Sequence, residues 1–216
     1  MKGLFMKDYL IMKNQSKTIL MIFMIGVVMS LTFEPTALIY YITMIGSMVA
    51  ISTIAYDEID NGYAFIFSLP IRRKSYVIEK YLFIFGVSLL FMLVSTAVCL
   101  AMSFLGVYDL QSVLEELPAV IVALPMLIAF ICSVTIPLRI KYGSEKSRIF
   151  LYVLMAACGL LAYGLNYLFP AAGVKFVATL EHTPLAAIIV AAIIFTLAIT
   201  FVSEKLCEKI IMAKQF

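Results

Sequence analysis

The sequence predicts an all-α membrane protein that crosses the bilayer six times, with an interfacial helix before the first span and a short helix between the second and third. Three observations predict it. Of the 216 residues, 64% are hydrophobic and 13% charged, with a mean hydropathy of +1.08. A soluble domain carries about 25% charged residues, so this chain has too little polar surface to face water. Six apolar stretches approach or reach the roughly 17–25 residues that cross a hydrocarbon core. Finally, the basic residues fall in alternate connections. The length suits one domain over residues 1–216, with no polar block long enough for a second.

The elements follow in order. Residues 2–17 hold Phe5, Tyr9, Met12 and Ser16 on one stripe at about 100° per residue, with Lys7 and Asn14 opposite, while Leu4, Leu10 and Ile11 spoil the pattern and keep its moment weak. Lysines near anionic lipid above apolar side chains suit a helix lying in the interface. Lys2, Lys7, Lys13 and Lys17 precede an apolar run without a small-residue cleavage site, which reads as a retained signal anchor. The spans are residues 18–33, 36–56, 81–107, 117–138, 149–169 and 183–203. The first two form a tight hairpin across Glu34-Pro35, because proline ends one helix and suits the start of the next. Pro125 is expected to kink the fourth span. Gly26/Ser30, Gly46/Ala50 and Ala187/Ala191 are small-residue pairs four apart that allow close helix contact. Pro170–His182, with the apolar patch Val174–Leu180, either lies at the outer interface or dips back under protein cover.

Charge sets the direction. Of the 16 Lys and Arg residues, all but Lys175 lie in the N-terminal segment, in the connections after spans 2 and 4, or in the C-terminal tail. Basic residues concentrate on the cytoplasmic side, so the expected protein is a multi-pass cell-membrane protein with both termini cytoplasmic. The basic residues form no single patch, so nucleic acid is not an expected partner.

Several chemistries lack their residues. No phosphate-cradling G-x-x-x-x-G-K-[ST] is present, and Gly143-Ser144-Glu145-Lys146-Ser147 has the letters without the spacing. No HExxH or G-x-S-x-G occurs, and His182 is the only histidine. Asp57-Glu58-Ile59-Asp60-Asn61-Gly62 lacks the alternating acids and closing glutamate of a calcium loop. Cys99, Cys132, Cys158 and Cys207 have no metal-ligand spacing and read as reduced packing residues. The expectation is no catalytic residue, no metal and no cofactor bound by this chain. The spans carry almost no charge, Asn166 and Glu34 being the notable polar residues, so the coupling groups of an ion-driven transporter are missing. Met and Phe are abundant and either line an adaptable path for apolar cargo or face lipid and pack spans.

The connection from Tyr56 to Tyr81 is too aromatic for an idle linker. Asn61-Gly62 breaks span 2, Tyr63–Ser68 suits a short helix, Pro70 stops it, and a helix restarts from Arg72. Its single apolar face, Tyr63, Phe65, Phe67 and Leu69, would be costly to leave in water and either lies in the membrane interface or docks on a cytoplasmic partner.

Four stretches carry a family resemblance: Met1-Lys2-Gly3-Leu4-Phe5-Met6-Lys7-Asp8, Tyr56-Asp57-Glu58, Ser68-Leu69-Pro70-Ile71-Arg72-Arg73-Lys74 and Glu79-Lys80-Tyr81. With them the chain resembles the small type 2 ABC exporter permeases, and among these the permease subunits of phenol-soluble-modulin peptide exporters. The specific stretches lie in about the first 80 residues, and the remainder matches by hydropathy. The resemblance implies a transport subunit that is not itself an enzyme. A separate cytoplasmic ATPase subunit would use the ATP, and a second permease chain would complete a homo- or heterodimer. The cargo would be an amphipathic peptide or apolar molecule. Phe5, Tyr9 and Met12 would belong to an elbow helix. Tyr63, Phe65, Phe67, Leu69 and Pro70 would belong to a coupling helix seated on the ATPase. Arg72, Arg73 and Lys74 would pair with its acidic groups or serve as inside anchors. An ATP-independent channel or a membrane scaffold is the alternative.

Overall fold

The computed structural model describes residues 2–32, 34–59, 62–168 and 185–213. The segment 170–182 and Lys175 lie outside these residues, as do Asp60, Asn61 and Lys214; the side chains of Cys158, Asn166 and Ala187 are likewise outside the description. Among the described residues eight helices follow one another: α1 Lys2–Asn14, α2 Ser16–Thr32, α3 Ala37–Tyr56, α4 Gly62–Ser68, α5 Arg73–Phe104, α6 Leu110–Tyr142, α7 Ser144–Leu168 and α8 Leu185–Ala213. Among the described residues there is no strand.

Among the described residues four helices are long and apolar enough to cross a membrane: α3, α5, α6 and the Ile189–Ala213 part of α8. The α1–α2 pair, bent by 61° at Gln15, gives a fifth candidate if taken as one span. Hydropathy predicted six. At the places of the first and fifth predicted spans stand α2, with 17 residues, and α7, with 25.

The long helices differ from the predicted spans in a consistent way. Hydropathy marks 81–107 and 117–138, but α5 has 32 residues and α6 has 33. At about 1.5 Å per residue, each is longer than a hydrocarbon core of about 30 Å. The polar turns Arg73–Lys80 and Leu110–Leu117 therefore continue the helices beyond the apolar segments. The connection between them shrinks to a turn with Gly106 at φ +77°. Asp109 starts α6 by accepting a hydrogen bond from the Gln111 N–H. α6 runs on as one helix through Pro118, Pro125 and Pro137.

α3 is the central helix. Leu38, Ile39, Ile42, Ala50, Ile51 and Ile54 are all buried, and it packs chiefly on α5, then on α2 and α6. Close approach needs Gly46, where a Cβ would stand 2.5 Å from the Phe91 ring. The Thr43 and Ser95 hydroxyls meet across the same interface at 3.4 Å. α6 pairs with α8, while α7 packs mainly on α6 and turns Tyr152 and Tyr163 outward. Cys99, Cys132 and Cys207 are buried free thiols.

One end of the bundle gathers α1, α4, the α6–α7 turn and the end of α8. Arg139 donates to the Ile51 carbonyl at 3.0 Å. Glu58 accepts from the Ser144 N–H at 2.7 Å and from its hydroxyl, capping α7. Gly143, at φ +83°, makes the turn against that carboxylate, where a Cβ would collide.

Candidate functional site: a short helix on a buried ion cluster

α4 is built by local rules. Gly62 lets the chain lie against the Asp57 carbonyl, and Leu69-Pro70 ends the helix because proline disfavours the α region before it. Arg72 is extended, at φ −72° and ψ 134°, and starts α5. With 3.6 residues per turn, positions 63 and 67 share a face and 65 and 69 point elsewhere. Tyr63 and Phe67 stack at 6.3 Å and both meet the Tyr76 ring edge-on, at 6.0 and 5.6 Å. Ile66 is buried with them. Phe65 is 70% exposed and Leu69 43%. The predicted single apolar face is thus two faces: Tyr63 and Phe67 brace α4 on α5, and Phe65 and Leu69 look outward with Pro70.

The basic run after α4 is divided too. The Arg73 guanidinium donates to the Ile211 and Met212 carbonyls at 2.8 and 3.2 Å and lies 5.6 Å over the Phe67 ring. Lys74 approaches Glu208 of α8 at 3.7 Å. Arg72 is exposed. Of the three predicted docking cations, two are engaged within the chain.

Beneath α4 lies a cluster that the sequence reading did not single out. Lys80 is fully buried on α5, with its ammonium 2.5 Å from Asp8 of α1 and 2.8 Å from Asp57 at the end of α3. Lys7 pairs with Asp57 and lies 3.2 Å from Asp8. The Tyr76 hydroxyl donates to Asp57 at 2.8 Å. Burial disfavours the charge on Lys7, but Asp57 and Asp8 outweigh it and raise its pKa. Two ammonium and two carboxylate groups balance, which is the condition for burying charge at all. Next to them Glu79 is buried with neither carboxylate oxygen hydrogen-bonded.

This cluster sets the rotation of α1. Its buried residues are Leu4 and Asp8, not the predicted stripe. Phe5 is half-buried against Phe83 at 6.3 Å, Met12 packs against the core, and Tyr9 is 56% exposed. The reason is electrostatic: Asp8 must reach Lys80, and that turns the more apolar stripe partly outward.

Tyr76 joins the two halves of the site. Its ring carries α4, and its hydroxyl holds Asp57, which holds Lys80 and Lys7. One contiguous set of contacts thus links α4 to α1, α3 and α5. Lys7-Asp8, Asp57 and Glu79-Lys80, from three stretches far apart in sequence, meet here. A legible signal existed: Asp8 sits in the basic N-terminal segment and Asp57 in the basic connection after the second span, where an acid is most useful as an internal partner.

The family model described as ABC-2 family transporter protein matches residues 3–212. No curated protein and no solved structure matches the chain.

Proposed function

The chain belongs to the ABC-2 transporter family, as a multi-pass membrane permease subunit of an ABC transporter, and from that premise we propose that it exports an amphipathic or apolar cargo with power from a separate ATPase. On this reading α4 is the coupling helix and α1 the elbow helix. α2 and α7 are the first and fifth of six spans in one domain, and the basic end of the bundle is cytoplasmic. The chain is not an enzyme and binds no cofactor; ATP is used by the partner. A second permease chain, identical or similar, completes the path. The resemblance to phenol-soluble-modulin exporters favours an amphipathic peptide as cargo.

The observation that carries the reading is the division of α4. A seven-residue helix keeps two aromatics on the bundle and leaves Phe65 and Leu69 outward at the end where the charge cluster lies. Exposed Phe and Leu beside Arg72 form a small apolar knob with a positive rim, suited to a cleft on a soluble partner. Tyr63, Phe67 and Tyr76 then act as the rigid base that passes displacement to α5, α3 and α1. Such coupling requires two discrete arrangements of the spans, one favoured by nucleotide.

Purification of the tagged chain from its host in mild detergent tests this. A co-purifying ATP-binding subunit, lost in the Phe65→Asp/Leu69→Asp variant, is the expected result. A chain that leaves the membrane with no nucleotide-binding partner, under conditions that keep a known ABC complex intact, would refute it.

A further inference from the structure

A groove of about 280 Å³ lies between α5, α6 and α8. Leu82 and Phe85 of α5, Pro125 of α6 and Leu197 of α8 make its apolar walls. Leu82 and Leu197 are 57% and 64% exposed, so it opens sideways from the bundle, where lipid would be. Its volume lies just below the about 300–1,000 Å³ of drug-sized ligand sites. That suffices for a head group and part of a chain.

The polar groups in it are all acceptors. Thr196, Thr200 and Glu204 line it at four-residue spacing along α8. The Thr196 hydroxyl donates to the Ile193 carbonyl, and the Thr200 hydroxyl to the Thr196 and Leu197 carbonyls. Ser203 donates to the Ser133 carbonyl at 2.7 Å, so Tyr81, which also lines the groove, gives its own proton to Ser203. Glu204 is half-buried and makes no hydrogen bond or ion pair among the described residues. Its neighbour Lys205 is drawn to Glu208 at 3.2 Å. Every hydroxyl proton is committed inward, and the groove presents lone pairs and one carboxylate.

We infer that this groove binds the protonated amine of a cationic amphiphile. The ammonium, with three donors and no acceptor, would meet Glu204 and the threonine oxygens, and the apolar body would lie along Leu82, Phe85 and Leu197. An anionic or purely acceptor-bearing amphiphile finds no donor there. The site stands on the groove itself; joined to the permease reading, it narrows the cargo to amphiphiles that carry an amine.

The chain has no tryptophan, so Leu82→Trp gives a single reporter at the rim. In proteoliposomes, 11-bromoundecylammonium should quench it saturably, at concentrations at least tenfold below 11-bromoundecanol. Glu204→Gln should weaken the amine at least tenfold and leave the alcohol unchanged. Thr200→Val, which removes an acceptor without touching charge, should weaken the amine severalfold. Equal quenching by amine and alcohol, or no effect of either variant, would overturn the site. Disulfide formation between Leu82→Cys chains would also overturn it, by making the groove an interface between copies. No ATPase is needed, so loss of the transport reading and loss of this site are separate outcomes.

Discussion

At the residue scale the decisive fact is a balanced set of buried charges. Lys80 is wholly enclosed by Asp8, Asp57, Tyr76 and Thr53, the last at 3.4 Å. Removing one member of a buried pair leaves an uncompensated charge and costs about 3–5 kcal/mol. Lys80→Ala should therefore lower stability by about that amount, read as an earlier thermal unfolding transition in detergent. Tyr76→Phe removes one hydrogen bond to a charged group, worth about 1.5–3 kcal/mol, and should lower it less. Glu79→Gln removes a carboxylate that has no hydrogen-bond partner and should not lower it at all. An ordering in which Glu79→Gln is the most damaging would contradict this account of the cluster.

At the element scale, α4 separates residues packed on the bundle from residues left exposed for the proposed docking. Phe67→Ala strips the stack on Tyr63 and Tyr76 and the guanidinium contact of Arg73, so it should loosen the start of α5 and speed amide exchange there. Phe65→Asp removes nothing internal, so stability should stay within about 0.5 kcal/mol, as for other surface changes, while stimulation of the ATPase is lost. Arg72→Glu should resemble Phe65→Asp, and Arg73→Glu should resemble Phe67→Ala. Much of this element was legible. Glycine and proline punctuation gave α4 and the restart of α5 to within a residue, because turn chemistry is local. The split of its apolar residues was not resolved, although four-residue spacing separates 63/67 from 65/69. The rotation of α1 was illegible for a deeper reason. Its moment is weak and a distant lysine decides it, so no window within the helix carries the information. Span edges suffered similarly: hydropathy reports where the apolar segment begins, whereas α5 and α6 begin at their N-caps, Arg72 and Asp109.

At the scale of the whole molecule, composition and charge alternation gave the membrane class, and the family match over residues 3–212 agrees with it. Four stretches of near-matching sequence signalled the family, and three of them supply the residues that meet around Lys80. The proposed orientation has a direct check. Ser68→Cys and Ser144→Cys should react with an impermeant maleimide only in inside-out vesicles, and Val107→Cys only in intact cells. Labelling of Ser144→Cys from outside would reverse the topology. α4 faces two ways, toward the bundle with Phe67 and outward with Phe65, where the proposed ATP-binding subunit would sit. A photo-crosslinking phenylalanine analogue placed at each position in the native host tests this most directly. The expected result is that position 65 captures an ATP-binding protein and position 67 captures only this chain. Capture of that protein from position 67, or from neither, would contradict it.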